Sequence, residues 1–231
     1  MNLDAVNLLR GKHTNREDGL CAMEAVAWLA NEPHSDHPTC VSEVVGTFVR
    51  TWNDNLDDVA RNRLLKPILP LLVGTRTHDA DETIRANMVT DWLARECAPA
   101  WLRLAGLTEH AVALEALAPL KVDADFIAAQ PKLDAARSAA RSAAESAAWS
   151  AARSAARTAA ESAAESAAWS AAWSAAESAA ESAAESAAWS AAESVAWSAA
   201  ESAAESALAP TCAGLQASAV ELIKRLCAVG R

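Results

Sequence analysis

The stretch "EDGLCAMEAVAWLANEPHSDHPTC" holds five side chains that could do chemistry: Cys21, Glu24, His34, His37 and Cys40. Three chemistries fit these residue types. Glu24 with His34 and His37, joined by Cys21 or Cys40, could hold zinc through nitrogen, oxygen and sulfur. The spacing Cys-x12-His-x2-His-x2-Cys matches no standard zinc pattern, however. Cys21 near a helix N-terminus could instead be a nucleophile of lowered pKa with a histidine base. No strand carries that histidine. In the third reading, Glu24 hydrogen-bonds the loop backbone and a histidine and simply fixes the loop. We adopt this last reading and expect no catalytic residue and no bound cofactor.

The elements around these residues support it. From Leu20 to Ala30 every residue except Glu24 is apolar. A helix apolar all round is normally buried. Asp18 is a candidate N-cap for it. Glu24 shares a face with Leu20, Cys21, Ala27 and Trp28, so its carboxylate is expected to be buried and to need a partner. The nearest partners in sequence lie in the loop "NEPHSDHPTC". Further helices are expected over Leu3–Leu9, Val41–Asn53, Asp57–Leu72, Asp81–Leu104 with a disturbance at Pro99, and Thr108–Leu117. Pro67 and Pro70 should end or kink the fourth. Gly74 and Gly106 sit where helix C-caps belong. Asp91 and Arg95 make an i,i+4 pair. No alternating strand pattern is present. Residues 1–130 therefore read as a compact helical head, and the fold class as all-α.

Residues 133–209 differ in kind. Ser-Ala-Ala recurs after one variable residue, from position 137 to position 205, in eighteen units without a slip of frame. Ala, Glu and Arg favour helix, and neither Gly nor Pro interrupts the segment, so residues 137–208 are expected to be continuous helix. Four residues advance an ideal helix by about 400°, so the variable row winds slowly round the rod and returns after about nine units, ~54 Å. A partner following it must wind in a right-handed coiled-coil sense.

The variable row reads R R E W R R E E W W E E E W E W E E. Arg137, Arg141, Arg153 and Arg157 precede eight of the nine Glu, the reverse of what the helix dipole prefers. Trp149, Trp169, Trp173, Trp189 and Trp197 complete the row. Several aromatics on an otherwise polar rod point to an interface. Folded about residue 171, as for two antiparallel copies, the row pairs Arg137 with Glu205, Arg141 with Glu201 and Arg157 with Glu185. Arg153 then meets Trp189, and Trp169 meets Trp173. Glu161 with Glu181 and Glu165 with Glu177 oppose this register. The plainer alternative is a passive spacer, grown by tandem duplication of a twelve-nucleotide unit.

Residues 211–231 form one amphipathic helix whose apolar face is Leu215, Val220, Leu222, Ile223, Leu226 and Cys227. It should dock on the head or on a partner chain. The net charge of −10 argues against nucleic acid and anionic membranes as partners. No uncharged apolar run is long enough to span a bilayer. The five cysteines and the absence of a secretory leader pattern lead us to expect reduced thiols in a cytoplasmic protein.

The stretches "EDGLCAMEAVAWLANEPHSDHPTCVSEVVGTFVRTWND", "RLLKPILPLLVGTR", "CAPAWLRLAGLTEHAVALEALAPL" and "LQASAVELIKRLCAVG" resemble an uncharacterised all-helical family of bacterial and phage proteins. Its members carry Ala-rich tetrads before the closing helix. The resemblance implies a shared fold and carries no activity.

These readings combine into a non-enzymatic structural or interaction protein. The rod would drive homo-oligomer formation or the packing of a partner helix. One alternative is a head that binds a metal or small ligand, or catalyses, through Cys21, Glu24, His34 and His37. A third is an acidic rod that imitates nucleic acid, with Glu about 6 Å apart along the axis.

Overall fold

The structure is a computed structural model that describes Leu3, residues 6–173 and residues 206–231. Among these the chain is all-α. The only β-type pairing among the described residues is an isolated parallel bridge between Leu8 and Leu20. Two compact units emerge. One comprises residues 1–134 together with 213–231, the other residues 135–212.

The first unit is a stack of short, locally capped helices. Helix α1 spans Ala22–Leu29 and begins at Cys21, not at Asp18 as expected. The Cys21 Sγ accepts the Glu24 N–H at 3.5 Å, and the Glu24 carboxylate accepts the Cys21 N–H at 2.8 Å. This is a capping box with a thiol in the place of a hydroxyl. Helix α2 (Glu43–Asn55) is capped by Ser42 and α3 (Asp58–Leu65) by Asp57. A 3-10 turn, Lys66–Ile68, and the single turn α4 (Leu69–Leu72) follow, each with a proline in its first turn. Proline lacks an N–H to donate, which divides the expected Asp57–Leu72 helix into three pieces.

Helix α5 (Asp79–Trp92) passes through a π-helical turn, Leu93–Cys97, into α6 (Ala98–Leu104). The widened turn lies just before Pro99, which cannot bond the carbonyl of Arg95. Gly106, at φ +75°, ends α6, and the Leu107 N–H reaches back to the Leu102 carbonyl at 2.8 Å. Helix α7 (Thr108–Glu115) then runs to α8, Asp123–Trp173. In α8 the Asp125 carboxylate accepts the N–H groups of Lys121 and Val122, and the helix continues through Pro131. The expected start near residue 133 is thus about three turns late.

The expected helix Leu3–Leu9 does not form over residues 6–9. There the Leu9 N–H bonds the Leu20 carbonyl at 2.8 Å, and Leu8 is fully buried. Tertiary burial overrides local propensity in this segment.

The last helix, α9, covers residues 206–228. Its Ala219, Leu222, Ile223, Leu226 and Cys227 enter one core with Leu8, Met23, Val26, Val45, Val49, Leu65, Leu69 and Leu72. Of the expected apolar face, Leu215 and Val220 are half-buried. Phe48 meets Trp52 and Trp92 edge-on, at ring distances of 6.2 and 5.7 Å.

In the second unit, α8 continues as helix to Trp173 and residues 206–208 are helical. The remainder of the expected continuous helix, residues 174–205, lies outside the described residues. No described helix is long and apolar enough to cross a membrane.

Candidate functional site

Glu24 is fully buried at the start of α1 and is the hub of the head's polar interior. Its Oε1 accepts the His13 N–H at 2.7 Å. Its Oε2 accepts the His13 ring Nδ1–H at 2.9 Å and the Cys21 N–H at 2.8 Å. His34 Nε2 stands 3.6 Å from Oε1 and donates to the His13 carbonyl at 3.0 Å. One carboxylate therefore ties together the loop before α1, the first turn of α1 and the loop after it. Gly19 permits this closure. At φ +130°, a Cβ there would strike the Leu9 side chain and press on the His13 ring.

Burial alone would raise the Glu24 pKa. The hydrogen bonds from Cys21 and His13 outweigh it and hold the carboxyl below its ordinary value. The Cys21 thiol moves the other way. Burial, helped by the neighbouring Glu24 charge, pushes it up to about 12. A nucleophilic cysteine needs the opposite shift, so the nucleophile reading of Cys21 has the wrong electrostatics.

The loop after α1 has its own supports. Glu32 accepts the Thr39 and Cys40 N–H groups at 2.6 and 2.8 Å. Asp36 lies 3.4 Å from Lys12 and 3.0 Å from the exposed His37 ring. The five residues expected as metal ligands are thus only partly gathered. Cys21, Glu24 and His34 meet, whereas His37 pairs with Asp36 and the Cys40 N–H is bound by Glu32. His34 Nδ1 is buried without a hydrogen-bond partner. Among the described residues, no group of three or more His, Cys, Asp or Glu side chains could hold a metal ion. His13 is the partner that sequence reasoning missed. It is the only histidine upstream of α1, and that is the signal which could have found it.

The second candidate is the variable row of the repeat. Within α8, Arg137, Arg141, Glu145, Trp149 and Arg153 are all exposed, Trp149 to 74 %. Arg157, Trp169 and Trp173 occupy row positions on the same helix. Glu185, Trp189, Trp197, Glu201 and Glu205 lie outside the described residues. Asp91 accepts from Arg95 and also caps the Leu120 N–H at 2.8 Å, so that pair braces the segment leading into α8. No family model, no curated protein and no solved structure matches the chain.

Proposed function

We propose that this is a non-enzymatic interaction protein whose repeat helix packs against another helix, through its small Ser/Ala surface and its tryptophans. The carrying observation is Trp149, a large aromatic left 74 % exposed on a helix whose other row residues nearby are charged. A lone rod has no physical reason to place rings in water at a regular row position. Burying one large aromatic stabilises by about 1.5–3 kcal/mol. An exposed ion pair contributes ~0–1 kcal/mol. Tryptophans, not the Arg–Glu pairs, would hold the rods together, while the charges select an antiparallel register.

The head supports this reading by what its polar residues already do. Glu24, His13 and Cys21 spend their hydrogen-bonding capacity on one another, which is the economy of a structural network. The acidic-rod alternative is weaker, because aromatic rings interrupt the charge spacing.

Sedimentation velocity with acrylamide quenching tests the proposal. The wild type should sediment above monomer mass at micromolar concentration, or as a monomer with its repeat tryptophans shielded. Trp169→Ala with Trp173→Ala should weaken that state. A monomeric wild type whose repeat tryptophans are fully water-exposed would make the repeat a spacer.

A further inference from the structure

Helix α8 runs without a break from Asp123 to Trp173, so row positions 137 to 173 lie along one helix. From 137 to 165 those positions read Arg, Arg, Glu, Trp, Arg, Arg, Glu, Glu. Set against its own reverse, this stretch is self-complementary. About residue 151, Arg137 aligns with Glu165, Arg141 with Glu161, Glu145 with Arg157 and Trp149 with Arg153. No like charges meet. A slip of one tetrad either way sets Arg141 against Arg157 or Glu145 against Glu161. A register about residue 159 also avoids like charges within α8. It aligns only Arg153 with Glu165 and Arg157 with Glu161, and it moves Trp149 away from the centre. A contact between two identical chains about a two-fold axis must be self-complementary in this way.

We propose that α8 of one chain takes α8 of a second copy as its antiparallel partner, with the two-fold axis at residue 151. The proposal rests on the helix-packing reading above and names the partner of one face of the repeat. Arg141, Glu145, Trp149 and Arg153 are all exposed on α8, so the centre of this contact is open in the single chain. The row winds by ~40° per unit, so positions 145, 149, 153 and 157 lie nearest the two-fold axis and the outer pairs fall to its flanks. At the axis Trp149 lies beside Arg153 of the second copy, which supplies a cation–π contact as well as buried apolar area. Small residues in the remaining positions allow the backbones to approach to the near end of the range for packed helices, about 8–10 Å. Row positions 169 and 173 lie ~200° and ~240° round the helix from Trp149, on a face that this contact leaves to a further helix.

Double electron–electron resonance on the full chain at micromolar concentration tests this. Each chain carries one spin label, on a keto amino acid encoded at Ala139, Ala151 or Ala163, which leaves the native cysteines untouched. A single label reports only the distance to the second copy. In the proposed register the two labels sit level at Ala151 and ~36 Å apart along the axis at Ala139 and at Ala163. We expect the shortest distance at Ala151, longer and similar distances at the other two, and loss of all three on dilution with unlabelled chain. Arg157→Glu should weaken self-association about tenfold, and Glu145→Arg in the same chain should restore it. Equal distances at all three positions would mean a parallel pair, and a minimum at Ala139 or Ala163 another register. Either overturns the proposal and leaves the packing reading intact. So does the absence of any distance while the repeat tryptophans stay shielded from acrylamide. The absence of any distance with those tryptophans fully water-exposed overturns both.

Discussion

The guanidinium of Arg85, on α5, donates to the main-chain carbonyl of Leu226, 141 residues further along the chain, at 3.1 Å. The same side chain reaches the Val229 carbonyl at 2.7 Å and the Glu82 carboxylate at 2.6 Å, and it is wholly buried. One arginine thus caps carbonyls at the C-terminal end of α9, where the Leu226 carbonyl also accepts the Val229 N–H at 3.3 Å. Glu82 in turn accepts the Ser42 hydroxyl at 2.7 Å and the Val44 N–H at 3.2 Å. The chain segment that follows the repeat is wired through Arg85 and Glu82 to the start of α2.

Arg85→Met should therefore destabilise the head strongly. Each buried carbonyl left without a donor costs about 1–3 kcal/mol. Urea melts should show a loss of about 3 kcal/mol or more, and hydrogen exchange should be fastest in α9.

Glu24 predicts a pH dependence. Its folded pKa is depressed, so its contribution is present above its unfolded pKa and is lost as pH falls through the folded value. Stability should decline below about pH 4.5, near the ordinary glutamate value. Glu24→Gln should lower stability at pH 7 and flatten that acid limb, because the amide presents donors where two oxygens now accept. Melting temperature against pH for both proteins checks this. Parallel slopes would assign the acid sensitivity to other carboxylates, with Asp36 and Glu82 next in line, since hydrogen bonds depress both.

Residues 213–231 should be essential to the head, and the repeat dispensable to it. Leu222, Ile223 and Leu226 are all fully buried in the head core. Truncation of one such residue to Ala costs about 2–5 kcal/mol, comparable to the total stability of many domains. A chain ending at Ala209 should not melt cooperatively. A chain with residues 137–204 replaced by a flexible linker should keep a cooperative transition, read by circular dichroism.

The sequence made some of this legible and hid the rest for physical reasons. A lone acid in an otherwise apolar helix marks Glu24 as buried, since hydrophobic pattern and charge are local signals. Its main partner, His13, sits in a polar loop with no periodicity, and only the close approach at Gly19 brings it in. The prolines at 67, 70 and 99 foretold the breaks around them, because proline acts on its own turn. Leu3–Leu9 looked helical because apolar spacing was read without knowledge of its neighbour Leu20. The Arg85–Leu226 bond had no local signature at all. α9 read as a helix seeking a surface, and only the folded core identifies that surface as the head.

The central claim is that the repeat tryptophans pack against another helix. The most direct measurement is fluorine NMR on full-length protein carrying 5-fluorotryptophan, with Trp169 and Trp173 assigned by single Trp→Phe replacements. The solvent isotope shift between H2O and D2O reports water contact at each ring. The account predicts a small shift at Trp169 and Trp173, increasing at either ring when the other is replaced by Ala. Full, free-tryptophan shifts at both rings in the wild type would contradict it.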